Sequence, residues 1–215
     1  MKKQTSESLR VAIVIDDLYP TSGGIARSVE TQINELTRLG HRVTLIAPKH
    51  DLQKPTICET IVVPSLYVPG MPPYMCIVSF SRRTAKKISA QHQFDIIHSQ
   101  TERGALILAA KLASMQHVSH IHSFHANLAG THESLPFASF WGSMAYLLLI
   151  NPLITMFGHK RFSDKVTLPV QNSDAPSFFA RFDWYSLATI ASRVDAYTTP
   201  ALFMQQRINE CSTGF

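Results

Sequence analysis

Two kinds of hydrophobic spacing alternate along the chain. Leu9 to Ile15, "LRVAIVI", is a nearly continuous apolar run rich in Val and Ile, as expected of a strand covered on both faces of a parallel sheet. Beyond a polar loop, Ile25, Val29, Ile33, Leu36 and Leu39 recur at spacings of four, four, three and three. That is the period of an amphipathic helix, and Arg27, Glu30, Asn34, Glu35 and Arg38 occupy its other faces. Gly40 supplies a residue suited to a left-handed helix end, and "HRVTLIAP" predicts a second strand stopped by Pro48. Strand, helix and strand make one right-handed βαβ unit.

The pattern loosens from Lys49 to Pro73, where prolines stand at 55, 64, 69, 72 and 73 and only "ETIVVPS" reads as a good strand. This stretch is expected to be a surface excursion near a site. Tyr74 to Gln91 predicts a helix with Ile77, Phe80, Thr84 and Ile88 inward, followed by the buried strand "FDIIHS". Glu102 to Met115 is apolar nearly all round, which predicts a buried helix before the strand "HVSHIHS". Asp195 to Thr199 and Ala201 to Glu210 add a last strand and helix, divided at Pro200. The alternation predicts an α/β fold, a Rossmann-like parallel sheet with helices on both faces. Residues 1–8 read as a flexible lead-in and 9–215 as one domain.

One segment departs from the alternation. Ser134 to Gly158 contains no charged residue, and "FASFWGSMAYLLLINPLITMF" approaches the ~20 apolar residues that span a bilayer. Asn151 and Pro152 interrupt it, and a crossing would cut the α/β pattern in two. Three readings stay open: a buried or lid-like helical hairpin, a membrane-surface segment, and a true span.

Composition narrows the partners. The 215 residues carry 20 Lys and Arg against 15 Asp and Glu, a net charge of +5. That excess suits an anionic ligand or membrane surface, and no aromatic-basic interleaving points to nucleic acid. Cys58, Cys76 and Cys211 are odd in number and widely spaced, so a disulfide framework or thiolate metal site is not expected, and a reducing cytosol is. The first ten residues, "MKKQTSESLR", lack the apolar region of a signal peptide. Arg82, Arg83, Lys86 and Lys87 form two i, i+4 pairs. They are either solvated surface or a contact for anionic lipid.

Two features carry candidate chemistry. Gly23 and Gly24 stand where the first strand hands over to the first helix. A helix N-terminus offers unpaired N–H groups and partial positive charge, and glycine lets an anion come close. The bland alternative is a tight turn needing a positive φ. GxGxxG is missing, which disfavours a nicotinamide dehydrogenase. The second feature is "HVSHIHSFHANLAGTH", holding five of the ten histidines, His117, His120, His122, His125 and His132. His120 and His122 share a strand face, while His125 falls just past the strand end, in the crevice position. With neither HExxH nor partner cysteines, no metal site is expected.

Taken together, "VAIVIDDLYPTSGGIARSVETQINELTRLGHRVTLIAP", "FDIIHSQTERGALILAAKLA", "HIHSFHANL" and "DAYTTPALFMQQRI" resemble the N-terminal, acceptor-binding domain of family 4 retaining glycosyltransferases of the GT-B fold. The likeness is to the diacylglycerol and phosphatidylinositol glycosyltransferase branch, with Ser123 in place of threonine in the family's H-T-x-H pattern. The resemblance implies transfer of a sugar from a nucleotide donor, a co-substrate, with no cofactor. It places Gly23 and Gly24 near the donor phosphates and reacting groups, and His125 beside the transferred sugar as the catalytic residue. His98, Glu102 and His122 then line the acceptor cleft, with Glu102 facing an acceptor hydroxyl. The uncharged segment implies a lipid acceptor and peripheral attachment to the inner face of the cytoplasmic membrane.

The family's paired glutamates, separated by seven residues and used on the donor, have no counterpart, since no two glutamates here stand eight positions apart. Members are nearly twice this long. The expectation is therefore an acceptor-binding half whose C-terminal donor-binding domain is missing, inactive unless a separate donor-binding chain complements it. The alternative is a non-catalytic lipid- or sugar-binding module or a truncated remnant.

Overall fold

The computed structural model describes residues 7–17, 23–49, 58–67, 76–125, 127–128, 136–158, 165–170, 175 and 177–211. The lead-in before Glu7 and the loop at 18–22, with His132, lie outside them. The elements run β1 (Arg10–Val14), α1 (Gly24–Arg38), β2 (Arg42–Pro48), β3 (Glu59–Val63), β4 (Ser65–Tyr67), β5 (Cys76–Val78), α2 (Arg82–Gln91), β6 (Ile96–Ser99), α3 (Gly104–Gln116) and β7 (Ser119–Ser123). Then come α4 (Pro136–Ala145), a π-helical turn (Tyr146–Ile150), α5 (Asn151–Phe157), α6 (Phe178–Ala191), β8 (Ala196–Thr198) and α7 (Leu202–Glu210).

Six strands form one parallel sheet in the order β3-β2-β1-β6-β7-β8. Alternation along β1 divides the core. Val11, Ile13 and Ile15 pack with Val29 and Ile33 of α1 on one face, whereas Ala12 and Val14 pack with Ile88 of α2 and Leu108 of α3 on the other. Each large aliphatic side chain buried in this way contributes about 1.5–3 kcal/mol. A third cluster around Trp184 joins α3, α5, α6 and α7. Chain connections leave β1 and β6 toward opposite sides, so the crevice between their carboxyl ends is the switch point where open α/β sheets bind ligands.

Three expectations change. Tyr74 to Gln91 is not one helix: Cys76–Val78 is a strand, paired antiparallel with Ser65–Tyr67, and the helix starts only after Ser81, whose hydroxyl accepts from Thr84 N. Leu39 is exposed, because α1 ends at Arg38 and Gly40 turns the chain at φ +90°. The uncharged segment is no hairpin. Helical geometry runs unbroken through Asn151 and Pro152, with the π-helical turn directly before them and Pro152 in the first turn of α5, where proline is tolerated.

That helix is two-faced without charge. Its Phe140–Phe157 portion has a mean hydropathy of 1.5 and is long and apolar enough to cross a membrane by length and composition. Yet Ser143 Oγ donates to Asp183 Oδ1 at 2.7 Å and Asn151 Nδ2 donates to Ser186 Oγ at 3.0 Å, so polar bonds hold one face to α6. The opposite face, Trp141, Ala145, Leu148, Leu149, Pro152 and Met156, is exposed. Trp141 and Leu148 are each 66% accessible and Met156 70%.

Candidate functional site

Gly23 is the N-cap of α1, at φ 65°, and Gly24 is its first residue. The positive φ explains Gly23 by backbone geometry. Gly24 needs another reason, since among the described residues a Cβ there would meet nothing within 4 Å. Gly23 has no side chain to cap the helix, and first-turn amides of such an end have the donor capacity that attracts anions.

Gly24, Ser28 and Gln32 follow one another at i, i+4, i+8 along α1, and that stripe faces the end of β6. Gln100 Nε2 donates to Gln32 Oε1 at 2.8 Å, and His125 Nε2 lies 2.7 Å from Gln100 Oε1. A carbonyl oxygen only accepts, so His125 carries its proton on Nε2 and leaves Nδ1 as an acceptor. Burial pushes this imidazole down, with Glu102 raising it and His122 lowering it, so it is held neutral. His125 and the helix carrying the diglycine are thereby joined through two amides across the switch point.

His98 lies on the same face of the sheet, two residues before Gln100. Its Nε2 is 2.8 Å from Ser123 Oγ, which is 2.8 Å from Thr198 Oγ1. Burial pushes His98 down to about 4, with His122 and His125 adding to the effect.

His122 points the other way. It pairs in register with Ser99, and alternation puts both toward α3. Its Nδ1 is 2.8 Å from Ser99 Oγ and its Nε2 3.9 Å from Glu102 Oε1. His98 and His122, both assigned to the acceptor cleft by resemblance, therefore serve opposite faces of one rim.

Beside Glu102 lies a cluster the sequence reading missed. The Asp16 carboxylate accepts from Val78 N at 2.8 Å, Thr101 Oγ1 at 2.7 Å and Ala105 N at 3.0 Å, tying β1, β5 and the start of α3 together. Arg103 pairs with Asp17 and stands 3.9 Å from Asp16. Burial raises Asp16 to about 6 against the pull of Arg103 and the three hydrogen bonds. Burial lowers Arg103, but Asp16 and Asp17 outweigh it and leave the guanidinium firmly charged. Tyr146, on the π-helical turn, is electrostatically coupled to Glu102 and Arg103, and burial pushes its phenol well up. Gly104 opens α3 at a point where a Cβ would come 2.2 Å from Val78 O; close backbone approach, and no ligand, requires that glycine.

The signal for Asp16 and Asp17 was present, two carboxylates directly after an apolar central strand. Tyr146 had none, because its direction depends on the π-helical turn. Arg82, Arg83, Lys86 and Lys87 are all exposed on α2 and form no ion pair among the described residues. Among the described residues no group of three His, Cys, Asp or Glu is placed to hold a metal ion.

No curated protein matches the sequence. A solved UDP-glucosyltransferase from Polygonum tinctorium, described as capable of glucosylating indoxyl and in complex with 3,4-dichloroaniline, is similar at a TM-score of 0.42 and 11% identity. The match covers 95% of this chain and 49% of that one, so this chain spans about half its length. The profile of Glycosyltransferase Family 4 matches residues 22–212, nearly the whole chain from the diglycine turn to the end of α7. The protein belongs to Glycosyltransferase Family 4.

Proposed function

We propose that this chain is the acceptor-binding half of a retaining glycosyltransferase that moves a sugar from a nucleotide donor to a hydroxyl of a lipid acceptor at the inner face of the cytoplasmic membrane. One observation carries the lipid reading. The helix from 136 to 157 brings Tyr146 to the Glu102 side of the cleft while its outer face exposes Trp141, Leu148, Leu149 and Met156. An exposed apolar patch of this kind marks a binding surface. Because polar bonds tie the inner face to α6, the helix lies along a membrane surface better than across it. Both α2 and α5 flank α3, which puts the four exposed cations of α2 on the same side of the sheet as the apolar stripe.

In this reading the Gly23–Gly24 turn receives the donor phosphates on its amides. Neutral His125 takes a hydrogen bond from a sugar hydroxyl at Nδ1 and, uncharged, adds no repulsion to an oxocarbenium-like transition state. Glu102 accepts from the acceptor hydroxyl. The sequence holds no glutamate pair eight apart, so transfer is proposed to need a donor-binding domain supplied with this one. That same feature favours the second reading, a lipid- or sugar-binding module without catalysis.

The test is flotation of the purified chain with vesicles containing anionic lipid and diacylglycerol, paired with a sugar-transfer assay using nucleotide sugars. Vesicle binding lost on charge reversal at Arg82 to Lys87, with transfer only when a donor-binding domain is supplied, is the expected result. Sustained turnover by the chain alone contradicts the need for a partner; absence of binding at every salt concentration contradicts the membrane reading.

A further inference from the structure

Which end of the Gln100 amide meets His125 decides what the imidazole presents to the cleft. A carbonyl at Nε2 leaves a lone pair on Nδ1, whereas an NH2 at Nε2 would leave a proton there. The residue that settles the choice stands on another element, α1.

Gln100 is fully buried, and its backbone N–H donates to Val14 O at 2.9 Å, so its side chain starts from a fixed point beyond β6. Its amide meets that of Gln32 at both ends. Gln100 Nε2 donates to Gln32 Oε1 at 2.8 Å, and Gln32 Nε2 donates to Gln100 Oε1 at 3.3 Å. Turning Gln100 alone would set oxygen against oxygen and NH2 against NH2, losing both bonds at a site shielded from water. Turning both amides together would restore the pair but place the Gln100 NH2 2.7 Å from His125 Nε2. That spacing is at the short limit for N–H···O, and the larger nitrogen fits it worse than a carbonyl oxygen does. Gln32 is itself held, since its Nε2 also donates to Ser28 Oγ at 3.3 Å, one turn back along α1.

We infer that Gln32 is a positioning residue for His125: by pairing both ends of the Gln100 amide it holds the Gln100 carbonyl on Nε2–H and leaves the Nδ1 lone pair to accept from a hydroxyl in the cleft. The use of that lone pair on a sugar rests on the proposed function; the order of donors does not. Gln32 lies about two turns along α1 from Gly24, so the helix whose first-turn amides face an anion also sets the direction in which the imidazole accepts.

The experiment uses the full chain with neither sugar nor lipid, so its outcome is separate from that of the transfer and flotation assays. Long-range ¹H–¹⁵N spectra of the ¹⁵N-histidine-labelled protein at about pH 7.5, above the ordinary histidine range, report the tautomer. The parent is expected to give the Nε2–H form at His125. Gln32→Leu, which fills the site without an amide, should raise the Nδ1–H fraction at least about threefold, because Gln100 can then turn. Gln32→Glu keeps an acceptor for Gln100 Nε2 and should hold the parent's tautomer. Leu and Glu are both good helix formers, and circular dichroism melts check that each variant is folded. An Nδ1–H form in the parent overturns the inference. So does a folded Gln32→Leu with the parent's tautomer, the result expected if Gln32 only helps to hold α1 in place, and so does a tautomer lost in Gln32→Glu as well. Should Gln32→Leu not fold, Gln32→Ala, which removes the amide and adds no bulk, is read against the same outcomes.

Discussion

His125 Nε2 lies 2.7 Å from Gln100 Oε1, so an imidazole beyond the end of β7 is held by an amide beyond the end of β6, which in turn holds Gln32 on α1. The contact fixes the direction of the ring, and burial lowers its readiness to take a proton. Gln100→Ala should cost about 1 kcal/mol of stability and, by opening the ring to water, let His125 titrate closer to its ordinary value. A histidine-resolved NMR titration checks the second effect and urea unfolding the first. In an assembled transferase, His125→Ala should lower kcat by about 10²-fold or more.

The two glycine positions should separate folding from binding. Gly104→Ala drives a Cβ into the Val78 carbonyl, and the shift of β5 or α3 that relieves it should cost about 3 kcal/mol. Gly24→Ala meets no atom of the described residues within 4 Å and begins a helix, so its stability should change by less than about 1 kcal/mol while anion binding at the turn weakens. Thermal melts of the two variants check the contrast.

His98 and Asp16 should pull stability in opposite directions as pH falls. The folded His98 value of about 4 lies below the ordinary one, so from about pH 6.5 down to 4 the unfolded chain takes a proton the native chain refuses. The stability His98 supplies above that window is lost across it. Asp16, raised to about 6, takes a proton in the native chain that the unfolded chain does not, so its contribution grows as pH falls through 6. His98→Gln should therefore cost about 1–2 kcal/mol near neutral pH, and the gap from the parent should narrow toward pH 4. Denaturant unfolding across that range measures it.

The exposed stripe should matter for membranes and not for folding. Replacing Trp141 and Leu148 by Glu puts charge on positions that already face solvent, so melting should move little while vesicle binding falls at least about tenfold. Circular dichroism melts and flotation give the two readings.

The sheet was legible in the sequence because its evidence is local. Buried strands such as Val11–Val14 and Leu45–Ala47 are apolar on both faces, and the period of α1 is carried by Val29 and Ile33. What failed was geometry fixed by contacts between distant segments. Cys76–Val78 became a strand because Ser65–Tyr67 lay alongside it, and Asn151–Pro152 did not break the helix because Pro152 falls in the first turn of α5, directly after the π-helical turn. The candidate site was legible in part. Gly23, Gly24 and His125 were named from residue type and placement at element ends, and Glu102 from the family resemblance. Gln32, Gln100, Asp16 and Arg103 were not, because an amide or a carboxylate acquires its role only from the partner folding brings to it, as Asp16 does from Val78, Thr101 and Ala105.

The account depends on the diglycine turn and His125 bordering one anion-accepting cleft. Titrating the isotope-labelled chain with inorganic pyrophosphate tests it most directly. The Gly23 and Gly24 amides and the His125 ring are predicted to shift together with one common dissociation constant. Shifts confined to the exposed cations of Arg82 to Lys87, with the turn and the ring unmoved, would contradict it.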